Sequence, residues 1–385
     1  MANAKGSQRG ARRVVTLAMV AAALAGIAFN FSLTRTTRFG RNVDFDTFYA
    51  AGKLAGTGRL YDWDAIQALE RQNRASNPLP FGRIPAVAFA FKPLSALPYK
   101  WAEALWLGIG IAALGGFVAL WPLAGRLRAA AAVCWSFPAA MVLAFGQDTT
   151  LFLFFVALGV WLLIREKEVA AGVVLSLCVI KPHLALLVPI WLIATRKWKT
   201  IGGGLGGGIA ILAVSFAVEG IDWPKRFLAA APGLADAPLK MPNMRGLLAL
   251  VGSGMRLEVA LALLLAGAVW YLSRHVDLTT AAALALAGGL AVSHHAYTYD
   301  AVLLLPLLLV TWERDGRAWL RLWTLLLFTP IPYLLLLAEK AWPAQLALMG
   351  YILVLLGAEV YRVGRGSQAG EPTEAPPKRS PVGPV

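Results

Sequence analysis

A small set of polar residues interrupts an otherwise apolar chain, and their side chains are those that group transfer requires: Asp44 and Asp46, Gln147 and Asp148, Lys181 and His183, His294 and His295, and Asp300. A carboxylate against an apolar wall can serve as a general base, because desolvation raises its pKa. Lys, Arg and His can stabilise a phosphate as it departs with negative charge. A base together with a phosphate clamp suits transfer of a sugar from a lipid phosphate carrier to a hydroxyl. Three of the four histidines fall in this set. Other chemistries have no pattern here. No HExxH, GxSxG, Walker or Rossmann pattern competes, since the one glycine-rich stretch is not preceded by a strand. The glycine-rich stretch Gly202–Gly208 lacks the Lys-Ser/Thr ending of a phosphate loop and reads as close helix packing. Cys134 and Cys178 sit inside apolar runs with no CxxC spacing, which indicates packing residues rather than a metal site or a disulfide. No cofactor and no metal are expected.

The elements that must position these residues are membrane helices. Of 385 residues, 58% are hydrophobic and 15% charged, against roughly a quarter charged in soluble domains. Runs of roughly 20 apolar residues cross a bilayer core. Apolar runs fall near 14–33, 101–122, 129–145, 150–164, 168–180, 184–195, 201–219, 257–273, 279–293, 301–312, 318–337 and 343–361, which predicts about twelve spans. Short runs suit helices that line a cavity. A polar first loop covers about 34–100. Within it Asp64–Asn73, with Ile66 and Leu69 at helical spacing, reads as an amphipathic helix on the membrane, anchored by Tyr61 and Trp63. Residues 1–363 read as one transmembrane domain, and the Pro- and Gly-rich 364–385 as a disordered cytoplasmic tail.

The net charge of +15 does not signal nucleic acid, since Lys and Arg lie in short clusters between apolar runs. With the N-terminus inside, the inner loops carry Arg126 and Arg128, Arg165 and Lys167, Arg196, Lys197 and Lys199, Arg274, Arg314, Arg317 and Arg321, and Arg362 and Arg365. The short outer loops carry only Lys181 and Lys340. This asymmetry puts both termini in the cytoplasm. It delivers the polar set to the outer face, where ionisable groups at membrane depth usually line a site or pathway. Nucleotide sugars do not reach that face, so a lipid-borne donor is the natural one.

Several motifs resemble one known family in order. Val43-Asp44-Phe45-Asp46-Thr47-Phe48-Tyr49-Ala50-Ala51-Gly52, followed by Leu60-Tyr61-Asp62, resembles the first-loop motif of glycosyltransferase family 87. Ile84-Pro85, then Lys92-Pro93-Leu94-Ser95-Ala96-Leu97-Pro98-Tyr99 and Trp106, resemble its Pro-rich return into the second span. Gly146-Gln147, Ile180-Lys181-Pro182-His183 and Ser293-His294-His295-Ala296-Tyr297-Thr298-Tyr299-Asp300 resemble its later elements. The resemblance departs at Arg83, where an aromatic is expected, and at Ile84 and His294, where the family has Pro. It implies an all-α polytopic membrane protein of the C-type glycosyltransferase fold in a bacterial inner membrane. The implied donor is a polyprenyl-phosphate hexose, typically mannose, and the acceptor a glycan or glycolipid hydroxyl.

Roles follow from this resemblance. Asp44 stands where the family places its base, with Asp46 as the alternative base or a partner of the acceptor sugar. Lys181 is assigned to the donor phosphate and His295 to the phosphate or the sugar, with His183 assisting. Gln147 can hydrogen-bond sugar hydroxyls, Tyr299 closes the last loop, and Arg245, in Pro242-Asn243-Met244-Arg245-Gly246, can grip a lipid phosphate. The bland readings are a helix cap for Asp44, a solvated first-turn acid for Asp46, a snorkelling Lys181, an interhelical bond for Gln147 and a cap for Asp300. Three rival functions are a lipid-linked sugar transporter or flippase, a ligase or polymerase of another fold, and a non-catalytic envelope-assembly subunit. A flippase would place charges along both halves of a pathway, often with inverted repeats. A ligase or polymerase would usually carry its long loop late in the chain.

Overall fold

A computed structural model describes residues 2–36, 43–73, 78–122, 125–230, 237–252 and 254–368. Among these the structure is all-helical. In chain order the helices are α1 Ala2–Thr36, α2 Val43–Leu54, α3 Trp63–Gln72, α4 Pro85–Ser95, α5 Tyr99–Leu120, α6 Arg126–Trp135, α7 Phe137–Phe145, α8 Thr149–Ile164, α9 Glu168–Ser176, α10 Leu187–Ala194, α11 Trp198–Glu219, α12 Trp223–Ala230, α13 Met244–Ala249, α14 Met255–Ser273, α15 Leu278–Val292, α16 Leu305–Arg314, α17 Ala318–Phe328, α18 Ile331–Leu337 and α19 Ala341–Gln368. Short 3₁₀ segments at Leu177–Ile180, Pro182–Leu184 and Thr298–Leu304 interrupt them.

Every apolar run named above is helical, and the chain is a multi-pass membrane protein. Helix length accounts for fewer crossings than twelve. Val14–Thr34, Tyr99–Leu120, Trp198–Glu219, Met255–Ser273 and Ala341–Arg365 are long and apolar enough to span singly. Two bent pairs, α6 with α7 at 63° and α17 with α18 at 52°, bring the number to seven. Ser136 with Pro138 and the Thr329-Pro330 pair interrupt those helices, as prolines do. α8, α9 and α15 are apolar but shorter. At 1.5 Å per residue they fall below the bilayer core thickness of about 30 Å. The tail beyond Gln368 lies outside the described residues, and α19 itself continues past 363.

Packing differs along the chain. α15 is buried nearly throughout and forms the centre of the main core. α1 and α11 keep most of their surface outward, as lipid-facing helices do. The glycine-rich stretch does serve close packing. A Cβ on Gly203 would lie 2.3 Å from the Val169 carbonyl oxygen, and one on Gly207 2.3 Å from Ser176 Oγ. Across the seam, a Cβ on Gly172 would lie 1.9 Å from the Thr200 oxygen. Gly202, Gly206 and Gly208 face open space. One glycine face thus lets α9 and α11 touch backbone to backbone.

A second cluster holds the first loop in place. Phe45, Phe48 and Tyr49 of α2 are buried against Phe91 of α4 and against Tyr99 and Trp106 of α5. The rings of Phe48 and Phe91 stack at 4.9 Å, and those of Phe91 and Trp106 lie 4.6 Å apart. Asp62 caps α3 through the Ala65 N–H. The apolar side of α3 enters this cluster, with Ile66 fully buried. The expected interface anchoring of Tyr61 gives way to internal packing: its ring meets Phe81 and Phe227, and its hydroxyl donates to the Arg83 carbonyl at 2.8 Å. Trp63 does stay exposed.

Candidate active site

Several elements deliver the polar set to one place. Asp44 lies in the first turn of α2, beyond the cap position, where a carboxylate suits the helix dipole. Trp106 donates its indole N–H to the Gly146 carbonyl at 2.7 Å. Gly146 ends α7 in the left-handed conformation, φ 65°, which glycine adopts without strain. This turn sets Gln147, Asp148 and Thr149 at the start of α8. Lys181 stands between two 3₁₀ segments, where Pro182 prevents a continuous helix. Ser293 ends α15, and its hydroxyl donates to the His295 carbonyl at 2.6 Å. Asn243, which caps α13, donates to the Ser293 carbonyl at 2.7 Å and so ties Arg245 to the same loop.

Lys181 is the centre of a buried ionic network. Its ammonium donates to Asp300 at 2.6 Å and to Thr149 at 2.7 Å, and lies 3.6 Å from Asp148. It also lies 4.9 Å from the Tyr299 ring centroid. Asp300 further accepts from the Tyr297 N–H at 2.9 Å, so the cap reading and the ion pair both hold. Burial pushes the Asp300 carboxyl up, but Lys181 and the Tyr297 N–H together outweigh it and hold the group below the usual carboxylate range. Asp148 forgoes capping α8 and instead accepts from Arg83, at 3.2 Å from Nε and 3.4 Å from Nη2. Two cations and two carboxylates therefore balance formally. Such a set is costly to leave half-formed.

Asp44 stands beside this balanced set as an additional carboxylate. Burial pushes its pKa up to about 6, against the lowering pull of Gln147, Lys181 and Arg83. Asp44 is half-buried as a residue, whereas Gln147 and Asp148 are buried. Gln147 donates to the Tyr299 hydroxyl at 2.7 Å, while its Oε1 is buried without a partner among the described residues. Asp46 is not the solvated acid of the bland reading: it is buried and accepts from the Tyr99 hydroxyl at 2.5 Å.

The remaining candidates flank this core. The His183 and His295 rings meet edge to face at 6.3 Å, and His295 meets Tyr297 at 4.7 Å. Burial pulls His183 down to about 4, so it is neutral at pH 7 and contributes hydrogen bonding rather than charge. Arg245 donates to the His294 carbonyl at 3.1 Å, and His294 pairs with Glu258 at 2.8 Å. Asp44, Gln147, Lys181 and Tyr299 are thus brought together, with His183 and His295 beside them. Asp46 and Arg245 sit one layer out.

Two participants, Arg83 and Thr149, and one buried acid of the first loop, Glu70, carried little signal in sequence. Arg83 was visible only as a departure from an aromatic position, yet it faces Asp148 and acts on Asp44. Thr149 looks like an ordinary helix start. Glu70 resembles a solvated helix acid, but it is fully buried and accepts from the Leu79 N–H at 2.9 Å.

The model for glycosyltransferase family 87 matches residues 85–295, more than half of the chain. The chain belongs to glycosyltransferase family 87. No curated protein and no solved structure matches. The family match contains Gly146-Gln147, Lys181-Pro182-His183 and Arg245, and ends at His295. Asp44 and Arg83 precede it, so their place in the candidate site rests on the contacts just described.

Proposed function

We propose that this glycosyltransferase moves a hexose, with mannose the family's usual donor sugar, from a polyprenyl-phosphate carrier to a glycan or glycolipid hydroxyl. We place the reaction at the outer face of a bacterial inner membrane. The observation that carries the reading is Asp44: a carboxylate with its pKa raised to about 6, on a half-buried residue, beside a buried network of Arg83, Lys181, Asp148 and Asp300. In this reading the acceptor hydroxyl gives its proton to Asp44 and its oxygen attacks the anomeric carbon. The bond from that carbon to the phosphate oxygen breaks, and the polyprenyl phosphate leaves with the electron pair. A phosphate leaving group needs little protonation, so a single base suffices for an inverting displacement.

The roles shift somewhat from the sequence expectation. Lys181 is buried and held by Asp300. It fixes the carboxylates and lends positive potential from behind, while Arg83 and His295 face the phosphate and Arg245 attends the lipid side. Gln147 and Tyr299 orient sugar hydroxyls, and Asp46 braces α2 through Tyr99. Replacing Asp44 with Asn should lower transfer of lipid-linked hexose by about 10²-fold or more, the usual span of general-base contributions. Undiminished turnover would remove Asp44 from the reaction.

A further inference from the structure

A cavity of about 580 Å³ opens beside the candidate active site, between the first loop and α12. Its wall includes Tyr61, Trp63, Phe81, Asp62, Arg226 and Ala229. The size lies within the roughly 300–1,000 Å³ that small-molecule sites occupy. The composition is specific: three aromatic rings with one carboxylate and one guanidinium. Sugar rings present C–H faces to aromatic rings and hydroxyl edges to charged planar groups, and this lining offers both. Trp63 is 43% exposed, although its helix has an apolar side already buried in the core. Asp62 and Arg226 are ordered before any ligand arrives. Asp62 accepts from the Ala65 N–H and pairs with Arg59 at 2.9 Å, and Arg226 is held on the Glu219 carbonyl and carboxylate. Each keeps about a third of its side chain exposed.

The cavity is wired to the reaction centre. Tyr61 in its wall donates to the carbonyl of Arg83, and the Arg83 guanidinium binds Asp148. We infer that this cavity is the acceptor subsite, holding a neutral sugar unit of the acceptor glycan next to the one that receives the hexose. This rests on the transferase reading above.

The test separates the two. Saturation-transfer NMR on the purified full chain, without donor, would use a panel of hexose disaccharides (mannose-, glucose- and galactose-containing) as probes. The wild type and Asp44→Asn should both show saturation of at least one probe. Trp63→Ala, which removes an exposed ring, and Ala229→Trp, which fills the cavity from an exposed position, should lose it. In the transfer assay the same two variants should raise the acceptor KM roughly tenfold and leave the donor KM and the limiting kcat within about twofold. Probe binding unchanged in both variants, no probe bound by the wild type, or a raised donor KM would overturn the subsite. Full transfer by Asp44→Asn with these binding losses intact would overturn only the catalytic role of Asp44.

Discussion

At the scale of single residues, Asp44 and Lys181 illustrate two uses of burial. A base acts when deprotonated, so a carboxyl raised to about 6 gives kcat/KM that falls roughly tenfold per pH unit below about 6 and levels off above it. The stability sign is opposite. The raised pKa favours the protonated folded state, so that contribution is present below the ordinary value of 3.8 and is lost as pH rises through about 6. Asp44→Asn should therefore unfold at a higher temperature than the wild type at pH 8 and at a similar one at pH 4. Equal melting temperatures at pH 8 would argue that the carboxylate is not desolvated. Lys181 balances Asp300 and lies near Asp148. Lys181→Met leaves those charges buried and should destabilise by about 3–5 kcal/mol. Combining it with Asp300→Leu should recover much of that loss in thermal unfolding, which a Lys181 that served only the ligand would not do. The residue types of this centre were readable from sequence, because ionised groups inside apolar chain are conspicuous. Their partners were not, since Lys181 and Asp300 are far apart in the chain and nothing local encodes the pairing. Arg83 stood out only as a departure from an aromatic position, and nothing local encodes its pairing with Asp148.

At the scale of elements, helices were legible and their connections less so. Apolar runs give helix positions well, since any span must satisfy its own backbone. The two bends at Ser136 and at Thr329-Pro330 turn single runs into pairs, which run length alone does not show. The glycine seam was readable as packing, yet its face was not. Only one side of Gly202–Gly208 touches α9. Gly203→Leu should therefore collide with the Val169 carbonyl and sharply lower the melting temperature, while Gly206→Leu, over open space, should leave it nearly unchanged. Similar losses at both positions would mean that the seam is not the contact that matters. The internal contacts of Tyr61 were not legible, because an aromatic at a loop edge looks alike whether lipid or protein covers it.

At the scale of the whole molecule, the charge asymmetry finds a spatial counterpart. The Gly125 N–H donates to the Glu313 carboxylate at 3.1 Å, Lys197 pairs with Glu168, and Arg274, Arg314, Arg317, Arg362 and Arg365 line one cavity. α15 begins at Asp277 in that basic group and ends at Ser293 beside the candidate active site, so the two sets occupy opposite ends of it. If the basic end is cytoplasmic, Thr57→Cys should react with an impermeant maleimide on intact spheroplasts, and Lys199→Cys only after lysis, each in a chain lacking Cys134 and Cys178. Both positions are exposed. The reverse pattern would invert the proposed topology and move the reaction to the nucleotide-rich side.

The formal balance of Arg83 and Lys181 against Asp148 and Asp300 bears on how the reaction could stay gentle on its surroundings. In the proposed displacement Asp44 gives up its negative charge as it takes the acceptor's proton, and the phosphate gains one as it departs. The sum does not change; one charge moves from one side of the sugar to the other. A guanidinium that acts on Asp44 and faces the phosphate meets the same total before and after. The network can then remain still while the charge relocates, which is the condition for low reorganisation in a dry site. The cycle closes when Asp44 releases its proton to water, so regeneration of the base becomes the step that renews repulsion and ejects the spent carrier.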